Sequence, residues 1–217
     1  MDTKKKENIG NFAHTGKEWE PQGQPTQVNT YDFPDPQQGK ACPYGIYDLT
    51  RNEGWVNVGI SRDTAKFAVE SIRRWWYRMG KARYPEATKL LITADGGGSN
   101  SYRTRLWKIE LQRLANELNM IIHVCHFPPG TSKWNKIEHR MFSFISKNWR
   151  GKPLDSLATI VNLISNTTTE TGLHIETSTN YATYETGIEV TNEELEALKI
   201  KREKFHGEWN YTIAPQG

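Results

Sequence analysis

Two acids in this chain stand where they could do chemistry. Leu90-Leu91-Ile92-Thr93-Ala94 is an apolar, β-prone run that ends in Asp95 and then Gly96-Gly97-Gly98. An acid at the carboxyl end of a buried strand can project into a crevice while its backbone stays in the sheet. The glycines let a phosphate or a ribose approach the main chain, and the helix expected after them offers amides that favour anions. Downstream, Pro128-Pro129 stops a second strand, a polar loop follows, and Glu138 falls on the early turns of an amphipathic helix. A strand-end carboxylate and a helix carboxylate are the oxygen donors that two-metal phosphoryl transfer uses. Taken singly, Asp-Gly-Gly-Gly reads as a turn and a helix glutamate as a solvated residue. Their combination with Pro128-Pro129-Gly130-Thr131-Ser132-Lys133-Trp134-Asn135-Lys136-Ile137-Glu138 is far more specific.

Other chemistries find less support. No Gly-Lys-Ser/Thr follows the glycines, so this is not a P-loop. Cys42 and Cys125 give neither a disulfide framework nor a zinc pattern. His123, Cys125 and His126 cluster in sequence, but strand neighbours alternate faces, so the three cannot converge on one ion. The net charge of +3 permits nucleic-acid binding without demanding it. Basic residues are local instead, at Lys4-Lys5-Lys6, Arg73-Arg74 and between Lys199 and Lys204. Eight tryptophans exceed what a site needs, and most are expected in the core. Without a signal-peptide pattern or an apolar run of spanning length, a cytoplasmic, nucleoid-associated protein of bacterial type with no membrane partner is expected.

The elements that must position these acids follow from hydrophobic period and punctuation. Residues 14–43 read as an extended loop, rich in Gly, Pro, Gln and Asn. Residues 44–50 and 54–60 read as a hairpin about Arg51-Asn52-Glu53. A helix over 64–79 is expected, capped by Asp63 and stopped by Gly80. A strand over 89–94, a helix over 103–118 and a strand over 120–125 come next. The helix with Glu138 spans 132–147 and buries Ile137, Met141, Phe144 and Ile145. A helix over 154–164 follows, then an irregular or weakly stranded Thr-rich stretch over 166–186. Thr191 with Glu194 forms a capping box that opens a charged helix to about residue 204, and the tail is an extended strap. The order implies a mixed sheet flanked by helices.

Asp95-Gly96-Gly97-Gly98 and above all Pro128 through Arg140 resemble the catalytic domain of a DDE-type insertion-sequence transposase of the Rhodopirellula group, itself similar to mariner-like elements. The resemblance covers essentially the whole chain, including Asp2-Thr3-Lys4-Lys5-Lys6-Glu7, Tyr47-Asp48, Trp55-Val56-Asn57-Val58-Gly59 and Phe205 through Thr212. It implies an α/β, RNase H-like fold and a metal-binding triad of two Asp and one Glu, with Asp2, Asp95 and Glu138 in those places. Asp48 and Asp63 compete for the first position. The implied cofactor is two Mg²⁺ (or Mn²⁺) ions, and the implied reaction is DNA strand cleavage and transfer. The implied partners are the element's terminal inverted repeats, target DNA and a second protomer. Lys133, Trp134 and Asn135 at the start of the acid-bearing helix, with Lys136, His139 and Arg140 on it, are candidate DNA contacts. Trp134 is open between base stacking and a core anchor, and His139 between a phosphate contact and a surface residue.

The chain departs from that pattern at its start. Asp2 follows Met1 directly, so the first strand is expected to be partly missing, and the helix-turn-helix region that resembling proteins carry is expected to be missing as well. The expectation is a single catalytic domain over 1–217, with 166–217 as its C-terminal extension, derived from a truncated reading frame or a mis-assigned start and poor at specific transposition by itself. Restoring the upstream in-frame residues tests that expectation. Two alternatives stand beside it. One is an inactive fragment that regulates by binding DNA or full-length protomers. The other is a different RNase H-like nuclease.

Overall fold

The computed structural model describes residues 1–31, 33 and 39–216. In chain order its elements are β1 (Asp2–Thr3), β2 (Glu7–Asn8), β3 (Lys40–Asp48), β4 (Glu53–Gly59), α1 (Ala65–Trp75), α2 (Lys81–Arg83), β5 (Lys89–Ala94), α3 (Arg105–Leu118), β6 (Ile121–His126), α4 (Ser143–Asn148), α5 (Leu157–Ser165), β7 (His174–Asn180), α6 (Asn192–Glu196), β8 (Ile200–Arg202) and β9 (Asn210–Ile213). These form two mixed sheets flanked by helices, the α/β class expected of an RNase H-like domain. The chain divides into two compact units, one of Met1–Asp2, Arg62–Asn135 and Thr183–Gly217, the other of Thr3–Ser61 and Lys136–Ala182.

In the second unit the sheet runs β3-β4-β7, with β2 also paired to β3. The β3–β4 hairpin forms because Asp48 accepts the N–H groups of Thr50 and Arg51 at 2.9 and 3.1 Å, while Asn52 takes the left-handed conformation at φ 54°. Residues 40–43, expected in a loop, are already strand. β7 lies parallel to β4 through a stretch expected to be only weakly stranded. Its Thr and Ser residues hide it from a hydropathy reading. Leu173 and Ile175 nevertheless enter the core, and Thr177 Oγ1 donates to the Val56 carbonyl at 2.8 Å.

Against this sheet pack the acid-bearing helix, through Ile137, Met141, Phe142 and Ile145, and α5, through Ile160 and Ile164. Two sheet positions are glycine for a steric reason. A Cβ at Gly45 would stand 2.5 Å from the Phe142 ring, and one at Gly54 would collide with the Met141 sulfur. The helix therefore rests on bare backbone. It begins later than the expected residue 132. Ser132–Trp134 is a separate 3₁₀ turn, and Glu138–Phe142 is a π turn leading into α4. That register buries Phe142 and leaves Phe144 only partly covered.

In the first unit the sheet order is β5-β6-β9-β8, with β5 and β6 parallel across their full lengths. α3 is the crossover between them. It ends at Asn119, whose φ of 50° and N–H bonds to the carbonyls of Ala115 and Asn116 close the helix. Buried Trp107, Leu111, Leu114 and Ala115 line its inner face. The tail is not a strap: β9 inserts between β6 and β8, antiparallel to both. The charged helix opened by the Thr191–Glu194 capping box stops at Glu196, and the residues expected to continue it become β8. A capping box fixes where a helix starts but carries no information on its length.

Two expectations around α1 also change. Thr64, not Asp63, is the cap, accepting Phe67 N–H on its side chain at 3.3 Å. Gly80 does not stop the helix. A Cβ there would come within 2.6 Å of Trp76, and the chain continues through the π turn Trp76–Gly80 into α2. Five of the tryptophans, Trp55, Trp75, Trp76, Trp107 and Trp149, are buried, while Trp19 and Trp134 are exposed. No helix among the described residues is long and apolar enough to cross a membrane.

Candidate active site

Asp95 follows the last residue of β5. The ladder to β6 closes just beyond it, where Phe127 N–H donates to the Ala94 carbonyl at 2.8 Å. The Asp95 carbonyl is thus held by side chains. His126 Nδ1 lies 2.9 Å from it and Asn100 Nδ2 lies 3.4 Å away. Asn100 also donates to carboxylate Oδ1 at 3.2 Å. The glycines form the tight turn that brings Asn100 back. Gly98 has φ 67°, and Ser101 Oγ donates to the Gly96 carbonyl at 2.9 Å. The Tyr102 ring lies 3.4 Å from where a Gly96 Cβ would stand. The sequence therefore uses these glycines for a close turn that returns an amide to the acid.

Asp2 is held in the same unit. The Met1 amino group donates to the Thr93 carbonyl at 2.9 Å, laying the chain beside β5. Asn135 Nδ2 donates to Asp2 Oδ2 at 2.8 Å. Burial lowers the Met1 amine to a pKa of about 6, against the attraction of Asp2 and then of Asp95. Both carboxylates act on that one amine, which is bonded to the strand two residues before Asp95.

The segment before Asn135 explains how it reaches inward. Trp134 N–H bonds the Thr131 carbonyl at 2.8 Å and Asn135 N–H bonds the Ser132 carbonyl at 2.9 Å. This turn carries Lys133 and Trp134 outward, the indole 52 % exposed, and turns Asn135 in to 4 %. Asn135 thus differs from the DNA contact expected of it, since its amide is committed to Asp2.

Glu138 belongs to the second unit. It opens the π turn, half-buried, while Lys136, His139 and Arg140 are exposed. Lys4 lies within its field. Its ammonium sits 4.4 Å over the Trp149 ring and 3.7 Å from Glu7, and burial lowers its pKa while Glu7 and then Glu138 oppose that.

The competing acids have other surroundings. Asp48 folds the hairpin turn. Asp63 is not the cap expected of it, and its Oδ1 is buried without a hydrogen-bond partner. His123 and Cys125 share one face of β6 and His126 the other, as strand alternation requires. Among the described residues, no three His, Cys, Asp or Glu side chains are grouped so as to hold a metal ion. The donor chemistry at Asp2 and Asp95 still suits a hard divalent cation, since both are carboxylates and each accepts a hydrogen bond from a neutral amide.

Sequence reasoning passed over Asn100 and His126 as supports of Asp95. His126 was visible as a histidine at the end of the neighbouring strand, level with Ala94. Asn100 carried no signal, because its role depends on the turn.

Comparison with curated proteins and with solved structures returns no match to this chain. A family model does match: the one described as the Rhodopirellula transposase DDE domain covers residues 1–215. It takes in Asp2, Asp95, Glu138 and both sheets, including β9. With the strand-end acid, Asp2 and the acid-bearing helix all inside the matched region, the chain belongs to the Rhodopirellula transposase DDE family.

Proposed function

We propose that this DDE transposase domain catalyses metal-dependent DNA strand cleavage and strand transfer, with Asp2, Asp95 and Glu138 as the metal-binding acids. The observation that carries the reading is the bond from Met1 to Thr93, which brings Asp2 to the strand that ends at Asp95, with each acid oriented by an uncharged amide. Two Mg²⁺ ions, when bound, would supply an activated water or 3′-hydroxyl and stabilise the leaving oxygen. The protein's share is to hold the carboxylates before binding. The Gly98 turn and Asn100 do so for Asp95, and Asn135 does so for Asp2. For Glu138, the packing of Met141 and Phe142 on Gly45 and Gly54 fixes the height of its helix over its own sheet.

DNA would be met by Lys133, Lys136, His139 and Arg140, all exposed, with the Trp134 indole available to stack on a splayed base. We read 1–217 as one catalytic domain acting as a homodimer on element ends and target DNA. The seating of β7 and β9 within the two sheets supports counting 166–217 as part of it.

The test is the melting temperature with and without Mn²⁺, followed by assay on DNA carrying the sequences that flank this gene. A metal-specific rise in wild type that Asp95→Asn and Glu138→Gln both lose is expected, since a ligand of the folded state alone raises its stability. Joining of cut ends to target DNA supports a transposase, and hydrolysis without joining points to a nuclease. A folded wild type with no metal-specific shift overturns the proposal.

A further inference from the structure

The first unit contains a buried hydrogen-bonded chain that the proposed chemistry leaves unused. Trp107 Nε1 donates to the Tyr211 hydroxyl at 2.8 Å. Tyr211 Oη lies 3.2 Å from His126 Nε2, and His126 Nδ1 lies 2.9 Å from the Asp95 carbonyl oxygen. All three side chains are in the core, at 0, 1 and 4 % exposure.

The two ends of this chain fix its direction. An indole N–H can only donate and a backbone carbonyl can only accept. His126 Nδ1 must therefore carry the hydrogen it gives to Asp95. A neutral imidazole has one such hydrogen, so Nε2 accepts, and the Tyr211 hydroxyl donates to it while accepting from Trp107. Every buried polar atom is then satisfied in one sense. The other tautomer would set a ring lone pair against the Asp95 carbonyl and leave two N–H or O–H groups competing between His126 and Tyr211.

We propose that His126 is a positioning residue for Asp95, locked in its Nδ1–H tautomer by Tyr211 and Trp107. The proposal rests on the reading of Asp95 as a metal-binding acid. Its physical basis is that the β ladder ends at Ala94, so the orientation of the Asp95 peptide is set by side-chain donors rather than by the sheet. Of the two donors, His126 makes the shorter bond, 2.9 Å against 3.4 Å from Asn100. Holding that peptide plane fixes the direction in which the carboxylate leaves the backbone. The Tyr102 ring, 6.1 Å from the imidazole between centroids, packs beside it at the glycine turn.

Two measurements on the full chain test this. The first is the ¹⁵N shift pattern of the His126 ring, expected to report Nδ1–H in wild type and a loss of that preference in Tyr211→Phe. The second is the Mn²⁺ concentration giving half the maximal thermal shift, in wild type, His126→Leu, His126→Asn, Tyr211→Phe and Asp95→Asn. Removing a partner that orients a ligand typically weakens metal binding about 10–100-fold. A rise of that order is expected in His126→Leu, and a smaller one in Tyr211→Phe. His126→Asn should recover much of the loss, because its amide can donate from near the Nδ1 position. A wild-type Nε2–H tautomer overturns the proposal. So does an unchanged Mn²⁺ midpoint in both His126→Leu and Tyr211→Phe while Asp95→Asn abolishes the shift. If His126→Leu does not fold, the tautomer and Tyr211→Phe decide. An Asp95→Asn variant that keeps the wild-type shift overturns the reading of Asp95 and, with it, the role given to His126.

Discussion

Asn135 and Asp2, 133 residues apart in the chain, are joined by a hydrogen bond of 2.8 Å from the buried amide to the carboxylate. The donor is neutral, so it orients the acid without cancelling its charge. A lysine in the same place would compete with a cation for Asp2.

Asn135→Ala should therefore weaken two properties together. A hydrogen bond to a charged group contributes about 1.5–3 kcal/mol, and the lower end applies because Asp2 is only half-buried. Urea unfolding should report that loss, and Mn²⁺ titration should report a higher midpoint. Stability and metal response that both stay at wild-type values would remove Asn135 from the site.

Gly54→Ala forces a Cβ onto the Met141 sulfur, one turn beyond Glu138. Overpacking of this kind costs about 1–3 kcal/mol. The double variant Gly54→Ala/Met141→Ala should not add the two single losses, because truncating Met141 removes the collision. Chemical denaturation of the three variants checks this, and strict additivity would contradict the packing described.

DNA affinity should depend on salt through the exposed cations. Replacing Lys133, Lys136 or Arg140 by Ala should each reduce the slope of log K against log salt by about 0.9 per lost phosphate contact on duplex DNA. The melting temperature should hardly change, since these side chains are exposed. Trp134→Ala should weaken single-strand binding by about 1–3 kcal/mol. Unchanged slopes in all three basic variants would place the DNA elsewhere.

Lys108 gives a pH signature. Burial, then repulsion from Arg202 and Arg105, lowers its pKa from 10.5 to about 8, while its ammonium donates to the Tyr102 carbonyl. The unfolded chain holds this proton more tightly than the folded one. Stability from this group therefore rises with pH between about 8 and 10.5, and its full penalty applies below about 8. Wild type should gain melting temperature relative to Lys108→Met across that window. Parallel curves would show that Lys108 does not titrate there.

How much of this was legible in sequence depended on where the information sits. β5 was readable residue for residue, because Leu90, Ile92 and Ala94 run straight into Asp95 and its glycines. The hairpin turn was equally plain at Arg51-Asn52-Glu53. β7 was not, because a parallel strand of Thr and Ser is defined by its neighbour β4 and not by its own hydropathy. β8 was lost inside a charged stretch that a capping box made look helical. At the site, residue types pointed to Asp95 and Glu138, but the supports Asn100 and Asn135 became visible only through turns that fold them back, and His126 only through the pairing of β6 with β5. Asp63 shows the reverse error, since a good capping residue stood one position before the residue that caps.

The π turn at Glu138–Phe142 has a consequence for the length of this segment. A π turn accommodates one residue more than the surrounding α-helix, and each helical residue advances about 100° around the axis. Deleting one residue between His139 and Phe142 would restore a regular helix. With Ile145 anchored in the core, Glu138 would keep nearly its present direction, because the wide turn had absorbed that residue; a second deletion, with no wide turn left to absorb it, would swing Glu138 about 100° around the helix axis. The aim of the third acid is therefore buffered against the loss of one residue here but not of two, and the longer change would disarm it with every acidic side chain still in place.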